Sequence, residues 1–375
     1  MSPVLQTLAD LVRINSVNSS YEGGPGEREV ASYMRRFFEQ RGIEVWEQEV
    51  FPGRPNVLAR LPGRDTTRRI VLEAHTDTVS VKGMTIPPFD PVIAGGKIYG
   101  RGSCDTKAGL ATMMHALASL KADGITPPCE VLLAAVVDEE FSYRGVVRLC
   151  EGLKAAAAIV AEPTEMRAVI ATKGVLRCRI VVHGKSAHSS KPHLGVNAIT
   201  HMARVIAAIE ADNERVSAVQ HPLVGSGTCN VGVISGGVQV NFVPDRCAIE
   251  IDRRLLPGER AENAARHYQR LLEGLPGVQA EIERPFLLAD EALDTPADSA
   301  VVQVASGVLR GLGLNGDPCG VPFGCDASKL SRAGIPSIVF GPGSIDRAHT
   351  ADEYVELDQV EQALEFQRRF LMAFA

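Results

Sequence analysis

Apolar positions in the first third of the chain follow helical and strand-like spacings in turn. Val4, Leu8, Leu11 and Val12 recur at intervals typical of a helix, which predicts a helix near the N-terminus. Helical patterns at 26–41 and 105–122 are interspersed with strand-like runs at 43–50, 56–61, 69–74, 130–137 and 155–160. Strands that alternate with helices predict an α/β fold with a mostly parallel central sheet.

The middle of the chain has a different order of elements. Strands are predicted at 174–182, 228–234, 238–243, 247–253 and 278–284, and helices at 195–210 and 258–275. We interpret this segment as a β-α-β-β-α-β unit, an α+β arrangement, with one of the five strands in addition to that pattern. From about residue 290 the alternation of the first third resumes. The predicted organisation is therefore a split α/β domain, residues 1–172 and 288–375, with an inserted α+β domain at 173–287.

Composition and charge narrow the class of protein. Of the 375 residues, 45% are hydrophobic and 22% are charged, which is typical of a folded globular protein. A net charge of −6 without a block of Lys or Arg argues against nucleic acid and membrane surfaces as partners. No apolar run approaches the roughly 20 residues of a membrane helix, and no secretory signal is visible. Eight scattered cysteines without a Cys-x-x-Cys pair indicate reduced thiols, so we expect a cytoplasmic protein.

Acidic residues and histidines come directly after apolar strand-like runs or glycine turns. The side chains with this placement are His75, Asp77, Asp105, Glu139, Glu140, Glu162 and His349. Because ligands bind beyond the carboxyl ends of the strands in open α/β sheets, we expect these side chains to meet. Two histidines with several carboxylates suit a divalent ion such as Zn²⁺ or Co²⁺. Two adjacent carboxylates further allow one to bind a metal while the other accepts a proton.

Each of these segments also has an ordinary structural interpretation. A His-Thr-Asp tripeptide is common in turns, and a Glu-Glu pair commonly begins a solvated helix. A single histidine such as His349 can cap a helix or lie in a core. The occurrence of all these segments at successive strand ends favours a shared metal site over the separate roles.

Five segments of the sequence match known motifs in order. They are His75-Thr-Asp77, Gly100-Arg-Gly-Ser-Cys-Asp-Thr-Lys107, Asp138-Glu-Glu140, Ala161-Glu-Pro-Thr164 and Ala348-His-Thr350. Because the chain contains these motifs in this order, it resembles the M20 metallopeptidases and amidohydrolases over nearly its whole length. That family includes acetylornithine deacetylase, succinyl-diaminopimelate desuccinylase, aminoacylase-1 and the glutamate carboxypeptidases. The resemblance implies a catalytic domain with two zinc ions and a lid, here 173–287, through which we expect a homodimer to form.

The resemblance implies a ligand set for two divalent ions, with Zn²⁺ as the expected metal and Co²⁺ as the alternative. Asp105 resembles the carboxylate that bridges both ions. His75 and Glu162 would complete one site, and Glu140 and His349 would complete the other. In the family the peptide bond that follows the bridging aspartate is often cis.

The resemblance also implies roles for residues that bind no metal. Glu139 resembles the general base, and Asp77 would orient the first metal-binding histidine by accepting its second ring N–H. In the lid, His188 matches a histidine that reaches a neighbouring subunit's active site and donates a hydrogen bond to the developing oxyanion. Arg254, within an Asp-x-Arg-x-x-Pro motif, would bind the substrate carboxylate, and Asn241 would face the substrate.

Simpler roles for the lid residues stay open. His188 is also compatible with a solvated loop, and Asn241 with an ordinary turn. Arg254 could instead pair with a lid carboxylate such as Asp252 or Glu259.

The activity that the resemblance implies is hydrolysis of the amide of small-molecule N-acyl amino acids, similar to acetylornithine deacetylase and succinyl-diaminopimelate desuccinylase. A water molecule that bridges the two ions would attack the carbonyl, with Glu139 as its general base. Family members with glutamate at the position of Glu162 tend to be deacylases or carboxypeptidases, and those with aspartate tend to be aminopeptidases or dipeptidases. One alternative is a metallocarboxypeptidase or dipeptidase on the same scaffold, and another is a metal-free binding protein.

Overall fold

The structure is a computed structural model that describes residues 1–375. Its α-helices are α1 (Pro3–Arg13), α2 (Arg28–Glu39), α3 (Lys107–Ala122), α4 (Arg144–Cys150), α5 (Ala198–Ala218), α6 (Ala261–Glu273), α7 (Ala300–Gly311), α8 (Ala327–Arg332) and α9 (Leu357–Ala373). Short 3₁₀ helices are present at Pro192–Leu194 and Ile345–Arg347.

The β-strands are distributed along the whole chain. They are β1 (Glu44–Phe51), β2 (Arg54–Leu61), β3 (Asp65–His75), β4 (Val92–Ala94), β5 (Lys97–Tyr99), β6 (Cys129–Val136), β7 (Ala157–Val160), β8 (Val169–Thr172), β9 (Gly174–His183), β10 (Ala187–His188), β11 (Gln220–His221), β12 (Gly225–Ser226), β13 (Thr228–Gly236), β14 (Phe242–Val243), β15 (Arg246–Leu255), β16 (Gln279–Ile282), β17 (Leu288–Asp290), β18 (Cys319–Val321), β19 (Ser337–Val339) and β20 (Tyr354–Glu356).

The chain folds into two compact units. The first comprises Met1–Ile170, Thr295–Cys319 and Cys325–Ala375, and the second comprises Ala171–Asp294 with Gly320–Gly324. The segment 173–287, predicted to be an inserted domain, lies within the second unit. Neither unit contains a helix with the length and apolar character needed to span a lipid bilayer.

An eight-stranded sheet is the framework of the first unit, with the strand order β1-β2-β6-β3-β7-β19-β8-β18. Its centre is parallel, because β6, β3, β7 and β19 pair in the same direction. Every residue of β6 is buried, as expected of a central parallel strand with both faces covered. The predicted α/β fold with a mostly parallel central sheet is therefore confirmed.

Helix α3 lies in the core of the first unit and begins at a buried lysine. The Nζ atom of Lys107 donates hydrogen bonds to the main-chain oxygens of Leu11 and Ile14, at 3.0 and 2.8 Å, at the C-terminal end of α1. Burial lowers the pKa of Lys107 to about 7. The last residue of the Gly100–Lys107 segment thus holds two helices together.

The second unit is built on an antiparallel sheet with the order β13-β15-β9-β16, and β17 also pairs with β9. Helices α5 and α6 contribute buried apolar side chains to its core, among them Met202, Val205 and Tyr268. Along the chain the main elements follow the order β9, α5, β13, β15, α6 and β16. This is the predicted β-α-β-β-α-β order.

One predicted strand of this segment, 238–243, was wrong. Only Phe242–Val243 is extended, as β14, and it pairs with the two residues of β10 outside the main sheet. The side chains of Val238 and Val240 are 90% and 100% exposed. Gly237, which follows β13, has φ of +78°, a conformation that interrupts a β-strand. The alternating apolar residues after it therefore lie on an exposed loop.

Candidate metal centre

Three neighbouring parallel strands bring four of the predicted residues to one edge of the sheet. In the order β6-β3-β7, strand β3 ends at His75, Glu139 and Glu140 follow β6, and Glu162 follows β7. The carboxyl ends of parallel strands meet at one edge, so the placement follows from the topology.

Two loops supply the remaining candidate ligands. Asp105 lies in the turn before α3, and its peptide bond with Thr106 is cis. His349 lies between the second 3₁₀ helix and β20 and has φ of +59°. Asp138, directly before the two glutamates, has φ of +70°. Non-glycine residues rarely adopt this conformation, and those that do are concentrated at functional sites.

His75, Asp105 and Glu162 form a first group of candidate metal ligands, all buried, with donor atoms within 4.8 Å of one another. The Nε2 atom of His75 is 2.9 Å from Asp105 Oδ1 and 3.9 Å from Glu162 Oε1. The Nδ1 atom of the same ring lies 3.0 Å from the main-chain oxygen of Asp77. Because a carbonyl oxygen only accepts, Nδ1 carries a hydrogen, and Nε2 is the nitrogen that can bind a metal.

Asp105, Glu140 and His349 form a second group. The Nε2 atom of His349 is 3.1 Å from Asp105 Oδ2 and 3.0 Å from Glu140 Oε1. Asp105 thus presents one carboxylate oxygen to the histidine of each group. The His349 side chain is 49% exposed, so the second group is the one open to solvent.

The composition of the cluster fits divalent cations. Four carboxylates, those of Asp105, Glu139, Glu140 and Glu162, surround only two histidines in a mostly buried space. Buried negative charge is costly unless cations or hydrogen bonds compensate it. Imidazole nitrogen together with carboxylate oxygen is a donor set typical of Zn²⁺ and Co²⁺ sites.

The histidines and carboxylates strongly perturb one another's protonation. Burial alone would lower the pKa of His349, but hydrogen bonds to Asp105 and Glu140 raise it to about 10. Burial would likewise lower the pKa of His75, but its contacts with the carboxylates of Asp105 and Asp77 raise it well above its ordinary value. Burial would raise the pKa of Asp105, but hydrogen bonds from both histidines hold it below its usual range.

The pKa values of the three glutamates in the cluster are raised, whereas that of Asp105 is lowered. Burial raises the pKa of Glu139 and of Glu162 well above the ordinary value, and the nearby negative charges add to the effect. Burial and the charge of Asp105 also raise the pKa of Glu140. A bound cation would oppose this effect, because its positive charge favours the ionised carboxylates.

Asp77 holds the two adjacent glutamates in place. Its Oδ1 atom accepts the main-chain N–H of Glu139, and its Oδ2 atom accepts that of Glu140, both at 3.2 Å. The Asp77 carboxylate is 3.6 Å from His75 Nδ1, farther than the main-chain oxygen of the same residue. Asp77 thus contacts the glutamates more directly than the histidine it was expected to orient.

Asn18 is a functional candidate that was not predicted from the sequence. This fully buried residue donates through Nδ2 to Asp77 Oδ2 at 2.7 Å and to Asp138 Oδ1 at 3.0 Å. It lies in an irregular segment, 59 positions before Asp77 in the sequence. No apolar periodicity and no metal-binding residue type marks it, so only the fold reveals its role.

In the second unit, His188 and Asn241 lie on two neighbouring exposed segments. β10 and β14 pair His188 with Phe242, and the main-chain N–H of Ser189 donates to the main-chain oxygen of Asn241 at 3.0 Å. The N–H of Ser190 donates to His188 Nδ1 at 3.2 Å. Nε2 of His188 therefore carries the ring hydrogen, which leaves an exposed hydrogen-bond donor.

Arg254 pairs with Asp252 in the structure. Its Nε is 2.7 Å from Oδ1 and its Nη2 is 3.3 Å from Oδ2 of that carboxylate. The preceding Arg253 is buried and pairs with Glu259. Arg254 is the more exposed of the two guanidinium groups, at 30% of its side chain, and its predicted contact with substrate stays a prediction.

The fold and the site together define a metal-dependent hydrolase of the α/β class. The model of the peptidase family M20/M25/M40 matches residues 71–373. The chain is 31% identical to an acetylornithine deacetylase from Myxococcus xanthus over 339 residues, 87% of this chain and 83% of the relative. It belongs to the M20 family, as predicted, and family membership makes it a hydrolase of amide bonds.

Solved structures of the family share the fold. Aminopeptidase PepT from Bacillus cereus superposes with a TM-score of 0.81 at 24% identity, over 99% of this chain and 98% of the other. A dinuclear metal binding peptidase of the M20 family from Bacillus subtilis has a TM-score of 0.74 at 17% identity, over 98% and 96% of the two chains.

Binding of Zn²⁺ or Co²⁺ to chelator-treated protein at pH 7 should release protons. His349, whose pKa is raised to about 10, is protonated at pH 7 and has to lose a proton before its Nε2 atom can bind a cation. The raised pKa of Glu162 acts in the same direction. Isothermal titration calorimetry at one pH, in buffers of different ionisation enthalpy, measures the number of protons released. A binding heat that is identical in all buffers would contradict the expectation, and Asp105→Ala, which removes the shared ligand, serves as the control without tight binding.

Proposed function

We propose that the protein removes the acyl group from N-acyl amino acids, producing a free amino acid and a short carboxylic acid. The observation that supports this most is Asp105, whose two oxygens face the histidines of two separate donor groups. A shared carboxylate is what a hydrolase with two adjacent metal ions needs. The similarity to an acetylornithine deacetylase from Myxococcus xanthus supports deacylation among the activities of the family.

In this proposal Asp105 would hold both ions, His75 and Glu162 would complete one site, and Glu140 and His349 would complete the other. Zn²⁺ is the proposed metal and Co²⁺ the alternative. When bound, such ions supply Lewis acidity that polarises a scissile carbonyl and lowers the pKa of water. The exposed second site leaves room for substrate to approach.

Glu139 is the proposed general base. Its carboxylate accepts no hydrogen bond from the chain, whereas the main-chain N–H of the same residue is held by Asp77. A fixed backbone with an uncommitted carboxylate suits a group that takes a proton from the attacking water and later gives it to the leaving amine. Its raised pKa favours proton acceptance over that of an exposed glutamate.

The second unit is the proposed lid and dimerisation domain. The ring N–H at Nε2 of His188 is the proposed donor to the oxyanion in a neighbouring subunit, and Asn241 beside it is the proposed contact with substrate. Exposed apolar side chains on β13 and the following loop, Ile234, Val238 and Val240, are typical of a surface that another chain covers. A second copy of this chain is the proposed partner, which gives a homodimer.

A substrate panel tests the proposed activity. With Zn²⁺ or Co²⁺ supplied, kcat/KM should be higher for N-acetyl or N-succinyl amino acids than for dipeptides of the same amino acids at equal concentration. Faster cleavage of dipeptides would support the metallocarboxypeptidase or dipeptidase alternative. Failure to take up metal, together with hydrolysis of no substrate, would support the metal-free binding protein.

Glu139→Gln should lower kcat by about 10²–10⁴-fold, the usual contribution of a general base, and leave the metal content unchanged. The matched control is the same substitution one residue later, Glu140→Gln, which should lose metal from the second group. Metal analysis of both variants beside their kinetics distinguishes the roles. Metal loss in Glu139→Gln would mean that the two glutamates have been assigned the wrong way round.

Arg254→Ala should lower kcat/KM by about 10–150-fold, because a charge-assisted hydrogen bond to the substrate carboxylate would be lost. Wild type should discriminate strongly against a substrate whose carboxylate is capped as an amide, and the variant should discriminate far less. Arg177→Ala is the control, since Arg177 pairs with the same Asp252 at 2.7 Å. An unchanged preference for the free carboxylate in Arg254→Ala would assign Arg254 a structural role.

A further inference from the structure

Glu353 is a fully buried carboxylate that takes no part in the proposed chemistry. Its Oε1 atom accepts the main-chain N–H groups of Cys104, at 2.9 Å, and of Asp105, at 3.1 Å. Its Oε2 atom accepts the N–H of Gly102 at 3.1 Å and a guanidinium N–H of Arg101 at 2.5 Å. Three of these four donors belong to the main chain of the loop that ends at Asp105.

The position of Glu353 is fixed by a short strand pair. Antiparallel pairing of β20 with β5 places Tyr354 opposite Tyr99, and the N–H of Gly100 donates to the main-chain oxygen of Glu353 at 3.0 Å. Glu353 lies four residues after His349 on the same segment. The residue that holds the Asp105 loop is therefore carried by the segment that also carries the histidine of the second donor group.

Arg101 strengthens the connection between the two segments. Its side chain is 3% exposed, and beyond Glu353 it donates through Nη2 to the main-chain oxygens of Ser80, at 3.2 Å, and Thr350, at 3.4 Å. Thr350 directly follows His349. The buried charge of Glu353 is thus compensated by a guanidinium group that contacts the histidine segment as well.

We propose that Glu353 is a positioning residue that fixes the spacing between Asp105 and His349, and so lets one carboxylate serve both metal sites. This inference rests on the proposed function, because it assumes that Asp105 and His349 bind metal. Neutralising Arg101 would need only one carboxylate oxygen. The second oxygen is used entirely on the N–H groups of Cys104 and Asp105, which is the arrangement that orients a ligand.

Glu353→Gln tests the inference, because glutamine has the same shape but only one acceptor oxygen, and its NH₂ group would face donors. In chelator-treated protein, competition titration with a chromophoric chelator should show Co²⁺ affinity about 10–100-fold below wild type. The visible spectrum of bound Co²⁺ should also change, because the geometry of its ligands changes. Thermal unfolding of the metal-free protein shows whether the variant is folded.

The matched control is Glu130→Gln. Glu130 is also buried and paired, with Arg69 at 2.6 Å, but it lies at the start of β6, the strand end opposite the candidate ligands. Its substitution should lower the unfolding temperature and leave Co²⁺ affinity and spectrum unchanged. If Glu353→Gln behaves in the same way, Glu353 only stabilises the fold and the inference is wrong.

A second variant covers the case in which Glu353→Gln does not fold. Arg101→Gln removes the guanidinium contacts with Glu353 and with the main-chain oxygen of Thr350 but keeps the three main-chain hydrogen bonds to Glu353. It should therefore weaken Co²⁺ binding by about 10-fold, which is less than the effect of Glu353→Gln. Unchanged Co²⁺ affinity in a folded Arg101→Gln, with Glu353→Gln unfolded, overturns the inference. Failure of the wild type itself to bind Co²⁺ would instead overturn the proposed metal centre, so the two failures are distinguishable.

Discussion

The sharing of one carboxylate between two donor groups is the constraint on which the rest of the site depends. Asp105 has to present one oxygen to His75 and the other to His349, although the three residues lie on a loop, a strand end and a second loop. The parallel strands fix the position of His75 through the sheet itself. Neither loop has such a ladder of hydrogen bonds, so the structure needs other means to fix Asp105 and His349.

Buried carboxylates provide those means by binding main-chain N–H groups that have no partner in a helix or strand. Asp77 accepts the N–H groups of Glu139 and Glu140, and Glu353 accepts those of the loop before α3. The carboxylate oxygens thereby supply hydrogen-bond acceptors to main-chain N–H groups that are not part of a helix or a sheet. Acidic residues thus serve in two ways, since Asp77 and Glu353 hold main-chain N–H groups, whereas Asp105 and Glu140 face the histidines of the candidate metal centre.

The parts of the structure that could be predicted from the sequence are those with a periodic or local signal. Apolar runs predicted the central strands, and the residues that follow them, such as His75 and Glu162, are close together because parallel strands end at one edge. The supporting contacts of Asn18 and Glu353 were not predictable, because their partners are distant in the sequence and no spacing rule links them. The strand predicted at 238–243 was wrong because alternating apolar residues also occur on an exposed surface.

The contact of Lys107 with α1 has a consequence for the stability of the core as the pH rises above neutral. A neutral amine keeps two hydrogens, and Nζ has two acceptors, the main-chain oxygens of Leu11 and Ile14. Loss of the ammonium proton, which burial brings down to a pKa of about 7, therefore removes a charge without removing a hydrogen bond. The two hydrogen bonds that join α1 to α3 are therefore present in both protonation states of Lys107. Because burial penalises only the charged form, the contribution of Lys107 to the free energy of unfolding rises as the pH increases above about 7.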